Sequence, residues 1–191
     1  EQEVLEKVRK YNGEGIIAKR SNSVWNSGVR SRDWLKIKNW RFVKVVLTKY
    51  DKENGYFHGS VYKDASWIEV VIVKHGLQEK EITTLVSFFQ ENGKQITSEV
   101  WVLQPSICVE VACIDFDGKK LREPRFHQFR FDVTPEEANW RAMLRALNPI
   151  PEIVKITHPD KPVWPASNLV KDDYLHYLQQ IATYQLPFLK D

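Results

Sequence analysis

The sequence predicts a mixed α+β chain that is mainly β, with a strand pair in front, a barrel of short strands in the middle and a proline-rich, helical end. Three patterns carry that reading. Between positions 42 and 131, five or six short apolar or alternating runs are separated by turn residues, with Asn54-Gly55 and Asp117-Gly118 as hairpin signals. Within that region the stretch 79–92 switches to helical spacing, with Ile82, Leu85, Val86 and Phe89 on one face and Gly93 to stop it. Five prolines (Pro149, Pro151, Pro159, Pro162, Pro165) then mark an extended linker or docking segment.

The 191 residues suffice for one large domain or two small ones, and 42% hydrophobic content with seven Trp supports a real core. No apolar run is long enough for a membrane span, and no leader pattern is visible. The chain starts at Glu1 and its single Met is Met143, so the expectation is a fragment whose first residues fall in mid-fold. Cys108 and Cys113 are five apart on a predicted strand and point to opposite faces. They neither pair nor chelate, and read as small buried hydrophobes of a reducing cytoplasm.

In chain order, Glu3 to Tyr11 places Val4, Leu5 and Val8 on one helical face, and Asn12-Gly13 stops it. A strand follows in Gly15 to Lys19, a Ser/Asn/Gly loop in Ser21 to Ser31, and a second strand in Trp34 to Lys38. Strands at Phe42 to Lys49 and Tyr56 to Tyr62 flank the Asn54-Gly55 turn, and Trp67 to Val73 is rich in β-branched residues. After the 79–92 helix, strands recur at Val100 to Leu103, Ile107 to Ile114 and Phe126 to Phe131. An OB-fold barrel fits this count; an SH3-like barrel or small sandwich reads nearly the same. Thr134-Pro135-Glu136-Glu137 is a capping box whose helix is predicted to run to Leu147. A last helix, Val170 to Thr183, aligns Leu175, Leu178, Ile181 and Ala182.

Net charge is only +3, but it is unevenly spread. Residues 7–44 hold eleven Lys and Arg against Glu14 and Asp33, and residues 119–130 hold five against Glu123. Two basic stretches in a near-neutral chain point to a polyanionic partner. Within the first, Glu14 sits at the mouth of one strand, while Lys36 and Lys38 share one face of the next. A carboxylate and two parallel lysines can hold a metal and a phosphate between them. His58, His75, His127, His158 and His176 have no ligand spacing and read as surface or hydrogen-bonded residues.

Glu14-Gly15-Ile16-Ile17-Ala18-Lys19, Trp34-Leu35-Lys36-Ile37-Lys38 and Arg122-Glu123-Pro124-Arg125-Phe126 resemble motifs IV, V and VI of covalent nucleotidyltransferases, specifically ATP-dependent DNA ligases. Lys19-Arg20-x-x-Ser23 with Gly28-x-Arg30-Ser31-x-x-Trp34 resembles the ligase module of bacterial ligase D, with Trp25 where that pattern has Tyr. Residues 156–165 resemble the opening of the primase-type polymerase domain that follows the ligase in the Bacillus-type order.

The resemblance implies that residues 1–40 end a nucleotidyltransferase (adenylation) domain, 41–148 form an OB-fold domain with a closing helix, and 149–191 are a linker and the start of the polymerase. It implies catalytic roles for Glu14, Lys36 and Lys38. Glu14 would hold a divalent metal, Mg²⁺ or Mn²⁺, and Lys36 and Lys38 the α-phosphate of ATP. Arg122, Arg125 and Arg130 would orient the pyrophosphate. Arg20, Arg30, Arg32 and Arg41 are read as DNA backbone contacts. Nicked or broken duplex DNA, the bacterial Ku end-binding protein and a cytoplasmic, nucleoid-associated setting in double-strand break repair complete that reading. The sequence lacks the Lys-x-Asp-Gly motif that takes AMP in the family, so the fragment is expected to be inactive as a ligase. The alternatives are a non-catalytic OB-type nucleic-acid module joining two catalytic domains, with weak Schiff-base lyase action on abasic ends through Lys36 and Lys38, and a capping guanylyltransferase, against which the polymerase-like tail speaks.

Overall fold

A computed structural model describes residues 2–151 and 154–189. The chain opens with α1 (Gln2–Lys10), β1 (Gly15–Lys19) and β2 (Trp34–Lys38). A sheet follows from β3 (Arg41–Asp51), β4 (Tyr56–Lys63) and β5 (Ser66–Val73). After α2 (Glu79–Asn92) come the short β6 (Lys94–Gln95) and the long β7 (Val100–Cys113). A hairpin of β8 (Asp115–Phe116) and β9 (Leu121–Arg122) leads to β10 (Arg125–Phe129) and α3 (Trp140–Leu147). The end holds β11 (Pro162–Trp164), β12 (Leu169–Val170) and α4 (Lys171–Gln185).

The main sheet is antiparallel in the order β10-β7-β3-β4-β5, with β6 beside β7. Apolar residues alternate inward along β3 to β5, so Val43, Val45, Leu47, Phe57, Val71 and Val73 form one dry core with Phe89 and Leu85 of α2. Fully burying a side chain of this size contributes about 1.5–3 kcal/mol. Gly59 leaves room for that packing, because a Cβ there would stand 2.6 Å from Val71 and 2.8 Å from Val45.

The barrel expected from the strand count does not close. Between the edge strands β5 and β10 runs a single backbone bond, from Phe126 N to His75 O at 2.8 Å. Just past Val73 the chain turns away through Gly76, at φ +96°, toward α2, which leaves too little strand to build a ladder. The sheet is therefore curled but open.

Two other expectations are corrected. The two predicted strands 100–103 and 107–114 are one strand, bulged opposite Thr48 where Pro105 cannot donate to a ladder. The helix expected from Pro135 to Leu147 breaks in two, a 3-10 turn at Pro135–Glu137 and α3 from Trp140. Its break is made by the sheet: Ala138 O accepts from Tyr62 N at 2.9 Å, and Asn139 restarts the helix by accepting from Ala142 N. The cysteines do take opposite faces, Cys113 in the main core and Cys108 beneath Val46 and Ala138. Burial pushes the Cys113 thiol up to about 12.

Candidate functional site

β1 and β2 pair antiparallel with Gly15 opposite Lys38 and Ile17 opposite Lys36, so both lysines stand on one face. Asn39 N donates to Glu14 O at 2.8 Å and extends that ladder by one step, setting Glu14 opposite Asn39, the residue after Lys38. Position 15 must be glycine. Its φ is +149°, and a Cβ would lie 2.2 Å from Ile37 O.

The sheet offers the opposing wall. Asp117 Oδ1 accepts from the Lys119 and Lys120 backbones and fixes the β8-β9 turn. That turn carries Arg122 to Glu14, with Nη1 to Oε1 at 2.5 Å and Asp115 3.7 Å away. Glu123, next along, pairs with Lys38. Beneath them, the Trp40 ring faces Lys38 Nζ at 4.8 Å and the Arg125 guanidinium at 6.0 Å. A cleft of about 270 Å³ is lined by Glu14, Lys36, Lys38, Ile114 and Glu123, among others. Its cations can neutralise phosphate oxygens, and its mixed signs leave it open to exchange one anion for another.

Of the residues singled out from the sequence, Glu14, Lys36, Lys38, Arg122 and Arg125 come together here. Arg130 does not join them. Its guanidinium is held between Glu110 at 2.7 Å and Asp132 at 2.8 Å, which pushes the arginine up and holds the Asp132 carboxyl down at about 2. A nucleotide role for Arg130 would have to break both pairs.

Arg41 corrects the DNA-contact reading outright. It is only 7% exposed, and all five of its N–H donors are engaged. Nε donates to Leu147 O, Nη1 to Asn39 O and Ile114 O, and Nη2 to Asn12 O and Oδ1. It ties the front segment to α3 and to the end of β7. Arg20 reaches Asp33 at 3.3 Å, while Arg30 and Arg32 are exposed. Arg30 lines a second groove, of about 460 Å³, with Ser31, Trp34, Lys36 and Lys38.

Glu14 does not fit a metal centre by itself. Hard divalent cations take several oxygen ligands. Among the described residues no group of three or more His, Cys, Asp or Glu is placed to hold a metal, and Glu14 is paired with Arg122. No step through a metal follows from these side chains.

Three features escaped the sequence reading. Glu123 lay inside a quoted motif with no role attached. Asn12, read only as a helix stop, takes φ +54° and is Arg41's main partner. His58 is buried beside Glu69, a hub that also binds Lys49 and Lys120. The hub's lysine and histidine partners, opposed by burial, hold the Glu69 carboxyl down at about 2; burial keeps His58 below its usual range. Strand periodicity placed His58, Lys49 and Glu69 on strands but could not pair the strands.

Residues 1–38 match the family model described as the ATP dependent DNA ligase domain. The chain is 33% identical over 189 residues, 99% of its length, to the bifunctional non-homologous end joining protein LigD of Bacillus subtilis. It is 28% identical over 158 residues, 72% of its length, to the multifunctional protein LigD of Mycolicibacterium smegmatis. It spans 31% and 21% of those two proteins. Among solved structures, the ligase domain of M. tuberculosis LigD aligns with 68% of this chain and 47% of that one, at 23% identity and a TM-score of 0.48.

Proposed function

We propose that this chain, similar along nearly its whole length to a bifunctional end-joining protein, is the rear of an ATP-dependent DNA ligase module that seals breaks in duplex DNA. The observation that carries the reading is the cleft in which Glu14, Lys36 and Lys38 of the strand pair meet Arg122 of the β8-β9 hairpin. Residues 1–40 then end an adenylation domain. Residues 41–148 are the OB domain; an open antiparallel sheet in the order β10-β7-β3-β4-β5, with β6 beside β7 and one inserted helix, is compatible with a partly open barrel. Residues 149–191 lead toward a polymerase domain. The setting is the cytoplasm at the nucleoid, with Ku presenting the broken end; among the described residues, no helix is long and apolar enough to cross a membrane.

Ligation develops negative charge on phosphate oxygens at each step, so the chain's task is positioning and charge stabilisation. Lys36 and Lys38 face the α-phosphate of ATP from one strand face. Arg122, released from Glu14, receives the departing pyrophosphate as a two-pronged donor, and Arg125 supports it from beside Trp40. Arg20, Arg30 and Arg32 follow the DNA backbone. A divalent ion would accompany ATP; Glu14, paired with Arg122, does not by itself make a site for it.

The test is enzyme-AMP formation in the full-length protein. Lys36→Ala lowers it about 100-fold or more, the usual scale for losing one electrostatic partner of a developing oxyanion, and Glu14→Ala lowers it by removing the carboxylate that positions Arg122. Undiminished adenylation in both variants places these residues outside the site. The chain alone, lacking Lys-x-Asp-Gly, acquires no label from radioactive ATP.

A further inference from the structure

Lys38 and Arg122 do not wait in solvent for a phosphate. Each is already paired across the cleft, Lys38 with Glu123 and Arg122 with Glu14. The two pairs are crossed: the strand pair contributes one anion and one cation, and the end of the β8-β9 hairpin the two opposite charges. Presenting consecutive side chains to one surface requires an unusual backbone, and Glu123 has φ +50°, a left-handed conformation that Glu seldom adopts. Pro124 follows it and fixes the exit. Lys38 is the leading cause that holds the Glu123 carboxyl below its usual range, with Lys36 and Arg122 adding to it. Glu123 also lines the same cleft as Glu14, Lys36 and Lys38.

We propose that Glu123 is an internal stand-in for phosphate, a positioning residue whose carboxylate occupies Lys38 until a polyphosphate displaces it. This rests on the reading that the cleft takes nucleotide phosphates. A carboxylate oxygen on an ammonium has the geometry that a phosphate oxygen takes. While Glu123 is in place, the cleft keeps its walls together and presents little net charge. Once it is displaced, its negative charge leaves the lysines, and Arg122 beside it is free to turn from Glu14 to the same anion. The residue therefore lowers affinity for polyphosphate while keeping the empty cleft in its binding shape.

Titration calorimetry of the 191-residue chain with inorganic pyrophosphate at low salt tests this. Glu123→Gln binds about three- to fivefold tighter than wild type, the scale of one exposed ion pair. Glu123→Asn, which suits the left-handed backbone, tightens binding likewise, so altered strain is not the cause. Glu123→Asp retains the charge and stays near wild type. Lys38→Ala weakens binding and abolishes the gain from Glu123→Gln. If Glu123→Gln and Glu123→Asn bind as wild type does while Lys38→Ala weakens binding, the stand-in is refuted and the phosphate cleft stands. If neither wild type nor Glu123→Gln binds pyrophosphate, both are refuted.

Discussion

Lys38 and Arg41 stand three positions apart in one basic run, yet one lines an open cleft and the other is sealed in the body of the fold. Among the described residues Lys38 has a single anionic partner, on a side chain that can leave. Arg41 has five, four of them backbone carbonyls that cannot. The difference lies in what else the chain brings to each position. Around Arg41 converge the orphan carbonyl at the end of α3, the end of β7 and the Asn12 turn, so the planar five-donor fork is the group that satisfies them together. Around Lys38 there is a cleft and a half-exposed carboxylate. A cation with its donors filled by backbone holds structure, whereas one filled by a side chain is available for exchange.

The strongest way to break this comparison is at Arg41. Arg41→Ala strands buried carbonyls of Leu147 and Ile114, and costs about 3 kcal/mol or more in urea unfolding. Arg41→Lys recovers less than half of that, because an ammonium cannot serve five acceptors. Lys38→Ala, by contrast, changes stability by less than about 1 kcal/mol. Equal losses at the two positions would erase the distinction.

A smaller effect is read by pH at a third place, the Glu69 hub. Glu69 titrates in the fold at about 2 against an ordinary 4.5, and His58 below its ordinary 6.5. Both folded values are depressed, so the unfolded chain binds more protons and stability falls as pH falls. The loss begins below about 6.5 for His58 and continues from about 4.5 toward 2 for Glu69. Thermal melts of Glu69→Gln have a shallower slope over the lower window; an unchanged slope removes the hub from the account.

The charged loop supplies a third contrast. Duplex DNA binding by the chain falls steeply with added salt, and Arg30→Ala or Arg32→Ala each reduces the log–log slope by about 1. Arg20→Ala reduces it less, since Asp33 already neutralises it. A slope unmoved by Arg30→Ala and Arg32→Ala together takes DNA off this loop. The smallest effect lies far from either region. Asp64 and Ala65 turn the β4-β5 hairpin at φ +47° and +62°, where glycine is at ease. Ala65→Gly therefore stabilises by about 0.5–1 kcal/mol in the same unfolding assay.

Much of this was legible in the residues. Strand alternation and turn pairs located β3, β4 and β5 to within two residues, because apolar positions such as Val43, Val45 and Leu47 recur at a period of two between recognisable turns. Lys36 and Lys38 could be set on one face for the same reason. The open edge was not legible, since it depends on where Gly76 turns the chain relative to Phe126, two positions fifty residues apart. Neither was the split of the 135–147 helix. Its capping box is real, but Ala138 gives its carbonyl to Tyr62, a competitor invisible to local pattern. Arg41 misled for the complementary reason: a charge run reveals how many cations a segment has, and nothing of which find carbonyls.

The central claim is that the cleft of Lys36, Lys38, Glu14 and Arg122 serves phosphate chemistry at a DNA break. It is tested most directly by a chimera in which this chain replaces the 189 residues it matches in the Bacillus protein. The chimera is expected to seal a nicked duplex with ATP, and Lys36→Ala with Lys38→Ala to abolish sealing while the protein still folds. Sealing at the parental rate with both lysines removed would contradict it.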